Sequence, residues 1–128
     1  MIFVDTSVWV EYFRGRHKGV IEALELLLDE DQVALAVPVR IELLTGASRK
    51  DLGPLRRVLS ALPLFTPSEQ VWPTIEKWVE ASAARGDRFG LGDLLIASIA
   101  AENEGEIWSL DDNFARMARL GLVRTHSF

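Results

Sequence analysis

The sequence predicts an α/β fold in which a mostly parallel, five-stranded sheet is covered by helices. Three observations carry that prediction. Short apolar segments of strand length alternate along the chain with longer segments of helical period, the order expected of a parallel sheet with helical crossovers. One of them, Val33-Ala34-Leu35-Ala36-Val37, is apolar at every position instead of every second one, as suits a strand buried on both faces. The size and composition, 128 residues with 48% apolar and 26% charged side chains, fit a single domain, residues 1–128, built on one core.

The first strand is expected from Ile2 to about Asp5. A short helix follows from Thr6 to Phe13, where Val8, Trp9, Val10, Tyr12 and Phe13 leave so little polar surface that it should be largely buried; Gly15 ends it. From Lys18 to Asp29, Val20, Ile21, Leu24, Leu27 and Leu28 share one stripe at helical spacing, which is core packing. After the strand at 33–37, Pro38 suits the first turn of a helix carrying Ile41, Leu43 and Leu44. Gly53-Pro54 is expected to interrupt, with a helix from Leu55 to Ala61 leading to a short strand at Leu64-Phe65. Pro67-Ser68 reads as a helix start, Ser68 being the cap candidate, for a segment that runs to about Arg85 and ends near Gly86. Pro73 lies inside it and either kinks the helix or delays its start. Asp87 to Gly92 is a loop delivering Asp93 to a helix that is apolar nearly all round, Leu94 to Ala100, and stops near Gly105. Glu106 to Ser109 is a strand, Asp112 to Leu120 a helix, and Val123 to Thr125 a final edge strand. No internal repeat, low-complexity tract or linker is visible.

Composition narrows the chemistry. Without cysteine there is no disulfide framework, thiolate zinc site or cysteine nucleophile, which fits a reducing compartment. No basic segment followed by a long apolar run opens the chain, and no stretch reaches the roughly 18 apolar residues of a membrane span, so the expected location is the cytoplasm, away from membranes. A net charge of −5 argues against holding nucleic acid mainly through a basic surface. It does not argue against a nuclease, because cations bound by acidic residues reverse the local sign. The basic groups, among them Arg14, Arg16 and Lys18, Arg85 and Arg88, and Arg116 and Arg119, are expected to be solvated surface.

Four acidic residues stand out. Asp5 ends the first strand, Asp93 opens an apolar helix, Asp111 follows the apolar Ile107-Trp108, and Glu42 lies within the helix after Pro38. In open α/β sheets ligands collect beyond the carboxyl ends of the strands, where Asp5 and Asp111 fall by direct reading. Each aspartate has a plain alternative as a helix N-cap, since Asp5-Thr6-Ser7, Gly92-Asp93-Leu94 and Asp111-Asp112-Asn113 are all plausible starts. A cap accepts Ser, Thr, Asn or Asp equally, whereas a hard divalent cation favours carboxylate oxygen, and the recurrence of Asp therefore points to a cation. Glu42 shares its face with Thr45, Gly46 and Arg49, and nothing local turns it toward the other three. An all-oxygen ligand set suits magnesium or manganese and disfavours zinc or copper. His17, among basic residues, and His126, near the C-terminus, are expected at the surface. A carboxylate-held cation activates water and stabilises charge on a phosphodiester without any histidine.

These residues in this order resemble the PIN-domain ribonucleases and, within them, the VapC-type toxins of toxin–antitoxin pairs. The resemblance is carried by Val4-Asp5-Thr6-Ser7-Val8-Trp9, Arg40-Ile41-Glu42-Leu43-Leu44-Thr45-Gly46, Gly92-Asp93-Leu94-Leu95-Ile96-Ala97 and Trp108-Ser109-Leu110-Asp111-Asp112-Asn113-Phe114, which together span nearly the whole chain. It implies a PIN-like three-layer α/β/α arrangement, one or two magnesium or manganese ions, and endonucleolytic cleavage of RNA. Asp5, Glu42, Asp93 and Asp111 would be the catalytic metal ligands, with Thr6, Ser109 and Asn113 in support. Family members often have Thr at the position of Ser109 and a further acid at that of Asn113, so this chain keeps an oxygen there but loses a charge. Asp112 is expected to be surface. The family also implies a small VapB-type antitoxin that wraps a hydrophobic groove, and a homodimer. Trp9, Trp72 and Trp78 are expected in the core, with such contacts as the alternative.

Other classes fit less well. A phosphoryl-receiving domain would want an acidic pair near the first strand and a late lysine, but Thr6 and Ser7 follow Asp5 and no lysine follows Lys77. An Asp-x-Asp phosphatase is disfavoured because Ser7 holds the second acidic position. The nearest rival is a catalytically weak module of the same fold that acts through RNA or protein contacts.

Overall fold

The apolar segments that punctuate the chain pair into one sheet, and the amphipathic stretches between them form the crossovers. The computed structural model describes residues 1–127. Its elements run β1 (Ile2–Val4), α1 (Thr6–Arg14), α2 (Lys18–Asp29), β2 (Val33–Ala36), α3 (Val37–Gly46), α4 (Arg49–Ser60), β3 (Leu64–Phe65), α5 (Val71–Ala84), α6 (Leu91–Glu102), β4 (Glu106–Trp108), α7 (Asp112–Arg119) and β5 (Arg124–Thr125). The strand order is β3-β2-β1-β4-β5, and all four pairings are parallel. Every residue of β1 and β2 is buried, so both faces of the central sheet are covered.

Burial of apolar side chains on both faces supplies the main stabilisation. Phe3, Val4, Val8, Trp9, Leu24, Leu35, Ile96, Ile99, Ile107 and Phe114 form the centre of the core. Phe3 meets Phe65 edge-on at 5.1 Å, and a Cβ on Gly105 would come within 2.6 Å of the Phe3 ring. Only glycine lets the chain entering β4 pass that close to the ring.

Several sequence expectations are corrected. Gly53-Pro54 does not interrupt: α4 starts at Arg49 and runs through it. Ser48 caps the helix, its Oγ accepting from the Asp51 N–H at 3.2 Å, and the one bond Pro54 removes lies on an exposed surface where water replaces it. α5 starts at Val71, which puts Pro73 in the first turn, where a missing N–H costs nothing. Ser68 therefore does not cap α5; its Oγ accepts from Gln70 N–H at 3.3 Å and donates to Glu102 Oε2 at 2.6 Å, tying the entry of α5 to the end of α6. On α3 the buried residues are Val39 and Leu43, while Ile41 is exposed. Phe13 and Trp72 are also exposed; Trp9 is fully buried and Trp78 packs against the core. No helix among the described residues is long and apolar enough to cross a membrane.

The strand order sets the site. From β1 the chain builds outward through β2 and β3 on one side and returns through β4 and β5 on the other, so the topological switch point falls between β1 and β4. At that point the two outgoing connections diverge and leave a crevice beyond the strand ends. Asp5 follows β1 directly, and Ser109 to Asp111 follow β4.

Candidate active site

Asp5 is only 4% exposed, and the protein solvates it with hydroxyls. Its backbone N–H donates to Trp108 O at 2.9 Å, which holds the ends of β1 and β4 together. Its Oδ2 accepts from Ser7 Oγ at 2.9 Å and Ser109 Oγ at 2.8 Å, with a longer contact of 3.4 Å from the Ser7 N–H. The two hydroxyls in turn accept from the backbone of the loop after β4: Leu110 N–H to Ser7 Oγ at 2.9 Å and Asp111 N–H to Ser109 Oγ at 3.0 Å. One buried carboxylate and two serines thus fix the loop that carries Asp111.

Asp93 is the third residue of α6, and Gly90 occupies the N-cap position. It is half-buried, and burial pushes its carboxyl above the ordinary value of 3.8. The Asn113 hydrogen bond, 2.8 Å to Oδ2, pulls it back; the charges of Asp5 and Asp111 push it up again, and Arg116 opposes them. Asp5 and Asp111 therefore both lie within electrostatic reach of Asp93. Asp111 stands at the N-cap position of α7, yet its side chain makes no capping bond. Of the three aspartates, only Asp5 caps a helix with its side chain.

Glu42 is exposed on α3 and reaches the same region through long-range packing. Thr6 Oγ1 donates to Glu42 Oε2 at 2.6 Å, and a Cβ on Gly92 would lie 3.5 Å from Glu42 Oε1. It therefore adjoins the chain neighbours of both Asp5 and Asp93, a placement set by the packing of α3 against α1 and α6. Among the described residues no three acidic or imidazole groups close into a ready ligand cluster. Asp5 and Asp111 act on the charge of Asp93, while Glu42 meets Thr6 and lies beside Gly92.

Sequence reasoning missed two participants, Ser7 and Arg116. Ser7 is one of the two hydroxyls that hold Asp5. Arg116, expected as solvated surface, is half-buried: Nη1 donates to Asp87 Oδ1 at 2.8 Å, Nη2 donates to Asn113 Oδ1 at 2.8 Å, and the guanidinium lies 4.7 Å from the centre of the Phe89 ring. The spacing of Asn113 and Arg116, three apart on one helix, was the available signal. Asp112 is exposed as expected, 3.8 Å from Arg116 Nε and 3.7 Å from Arg119 Nη2. His17 is exposed and caps α2, its Nδ1 accepting from the Val20 N–H at 3.2 Å. His126 is not free surface: it is half-buried, 3.3 Å from Glu106 Oε1 and edge-on to Trp108.

Beside Thr6 and Glu42 a groove of about 600 Å³ runs between α1, α3 and α4, walled by Val10, Phe13, Leu43, Leu55 and Val58.

Comparison with known proteins agrees with this architecture. The PIN domain family matches residues 2–120. VapC ribonuclease Mb1587 of Mycobacterium bovis and ribonuclease VapC11 of Mycobacterium tuberculosis are each 31% identical over 135 residues, covering 100% of this chain and 99% of theirs. Among solved structures, VapBC2 from Rickettsia felis bound to a DNA fragment from its promoter superposes with a TM-score of 0.82 at 21% identity, covering 100% of this chain and 99% of that one. VapBC-1 from nontypeable Haemophilus influenzae does so with a TM-score of 0.79 at 20% identity, covering 99% and 98%. The chain belongs to the PIN-domain family, among the relatives of the VapC ribonucleases.

Proposed function

We propose that this chain is a divalent-cation-dependent endoribonuclease, a single catalytic domain in which Asp5, Glu42, Asp93 and Asp111 hold magnesium or manganese. One observation carries the proposal: Asp93, half-buried and with no capping duty, stands beside Asp5 and Asp111 although burial and both charges oppose its ionisation. Asn113 ties Asp93 to α7, but that tie needs no pair of further aspartates beside it, whereas a hard cation does.

The residues fit such an ion. All four side chains offer carboxylate oxygen, and the hydrogen bonds that the protein gives to Asp5 and to Asp93 fall on Oδ2 of each. Asp5, locked by Ser7 and Ser109, is the rigid member. Asp93 is oriented by Asn113, and Glu42 is steadied by Thr6. A bound ion would supply an activated water and charge stabilisation on the phosphodiester. The chain's own part is to hold these oxygens ready, to keep the Asp5 end of the crevice dry, and to admit the phosphate at the exposed Asp111 and Glu42 end.

RNA as the substrate is supported by the ribonuclease relatives, and a role as the toxin of a toxin–antitoxin pair by the VapBC complexes of the same fold. The groove beside Glu42 suits a VapB-type antitoxin segment: Val10, Phe13, Leu43, Leu55 and Val58 give it an apolar wall, and among its polar lining, Thr6, Arg14, Glu42 and Asp51, the two acids would meet a basic group on the segment. Homodimerisation is supported by Trp72 and Val79, 51% and 50% exposed and seven residues apart on α5.

Asp5→Asn and Asp93→Asn test the enzymatic reading, because asparagine keeps the shape and, at Asp5, the helix cap, but is a poorer cation ligand. Both variants should fold and lose magnesium-dependent cleavage of RNA. Unchanged cleavage in both would defeat the proposal.

A further inference from the structure

Outside the acidic crevice, the most completely built polar feature is the chain of contacts Asp87–Arg116–Asn113–Asp93, which crosses from the loop before α6 to α7 and back to α6. We propose that Arg116 is a positioning residue for Asp93, acting through Asn113. The inference rests on the nuclease reading given above.

The geometry leaves each group one role. Asn113 has a donor end and an acceptor end, and here both are spoken for: Nδ2 donates to Asp93 Oδ2 at 2.8 Å, and Oδ1 accepts from Arg116 Nη2 at 2.8 Å. Turning the amide over would set its carbonyl oxygen against the Asp93 carboxylate and its NH₂ against the guanidinium, two like-polarity contacts in place of two hydrogen bonds. The Asp93 carboxylate calls for the NH₂ end of Asn113, and Arg116 locks that orientation from the other side. The guanidinium is itself held on three sides, by Asp87 Oδ1 at 2.8 Å, by the Phe89 ring, and by Asp112 at 3.8 Å. A planar fork gripped in this way transmits orientation, where a freely rotating ammonium would not. The result is an Asp93 carboxylate with one oxygen engaged by a fixed neutral donor. The Arg116 charge stands behind Asn113.

An amide is the group that fits between the Arg116 cation and the Asp93 carboxylate, since it offers an acceptor to the one and a donor to the other.

A positioning role and a bystander charge predict opposite signs. If Arg116 were only a nearby positive charge, its removal would relieve repulsion and tighten manganese binding. If it positions Asp93, removal loosens binding in spite of that relief. The experiment is calorimetric titration of the full chain with MnCl₂, together with cleavage kinetics on a single RNA substrate, for wild type, Arg116→Met, Asn113→Ala and the double variant. Outer-shell partners of metal ligands are commonly worth 10–100-fold in affinity or activity. Arg116→Met should weaken manganese binding about tenfold and lower kcat about tenfold, with KM changed less than about twofold. The double variant should match Asn113→Ala alone, because Arg116 acts through it. Unchanged or tighter manganese binding in Arg116→Met, or additive effects in the double variant, would overturn the inference.

Should Arg116→Met fail to fold, Asp87→Asn carries the test. It frees one arm of the fork and should weaken manganese binding about two- to fivefold, and no weakening would overturn the inference. Asp93→Asn separates the two levels. If that variant loses cleavage and manganese binding while Arg116→Met binds as wild type, the positioning role alone fails; if it loses neither, the nuclease reading fails with it.

Discussion

Replacing Asp93 by asparagine should make the protein more stable and less responsive to metal at the same time. The side chain is half-buried, it caps nothing, and its ionised form is opposed first by burial and then by Asp5 and Asp111. The substitution keeps the shape and keeps an oxygen that accepts from Asn113 Nδ2, so little packing or hydrogen bonding is lost. What it removes is one like charge from a partly solvated crevice, a gain of at most about 1 kcal/mol after screening. For a chain of this size that raises Tm by up to about 4 °C in the presence of chelator. The metal response is larger: manganese at about 100 times its Kd stabilises the native state by about 2.7 kcal/mol, or roughly 8–13 °C in Tm. Thermal melts of wild type and Asp93→Asn, each with EDTA and with MnCl₂, therefore give four numbers. Wild type should rise by about that amount with manganese, and the variant by less than about 3 °C while starting higher in EDTA. A variant that melts lower in EDTA, or that gains as much from manganese as wild type does, would show that Asp93 serves the fold and not a cation.

The pH dependence has a definite sign. The folded-state pKa of Asp93 is raised, so its native form holds a proton that the unfolded chain releases near 3.8; in chelator the stability advantage of Asp93→Asn should be present at neutral pH and vanish as pH falls through the raised value toward 3.8, read from melts across that range. Ser109→Ala removes one of the two hydroxyl donors to a carboxylate that is 4% exposed and frees the Asp111 N–H, and chemical denaturation should show a loss of about 1–3 kcal/mol. Gly105→Ala drives a methyl to within 2.6 Å of the Phe3 ring and should cost about 1–3 kcal/mol by the same measurement, with cleavage per folded molecule unchanged.

Much of this molecule is legible in its sequence because its strands are short, apolar and separated by strongly periodic helices. The order of elements, the parallel pairing and the placement of Asp5 and Asp111 beyond strand ends all follow from local pattern. The errors share a cause: they are set by neighbours distant in sequence or by the precise start of a helix. Pro54 looked like a breaker because a proline's effect depends on what the freed carbonyl faces, and here that is water. Pro73 is harmless because α5 begins two residues before it. Trp72 and Ile41 look apolar enough for the core, yet the helices carrying them bury a different stripe, Val71 and Ile75 on α5, and Val39 and Leu43 on α3. At the site, Glu42 could not be turned toward the aspartates by any local rule, since its approach to Thr6 and Gly92 depends on how α3 lies against α1 and α6. For Arg116 only the spacing to Asn113 was legible, because its partners Asp87 and Phe89 come from a loop 27 to 29 positions earlier.

The most direct measurement is anomalous diffraction from crystals grown with manganese. A peak should sit in the crevice beyond β1 and β4, in contact with carboxylate oxygens of Asp5 and Asp93 and within reach of Asp111 and Glu42. A crevice without a peak at saturating manganese, or a peak held by other residues, would contradict the assignment of these four acids.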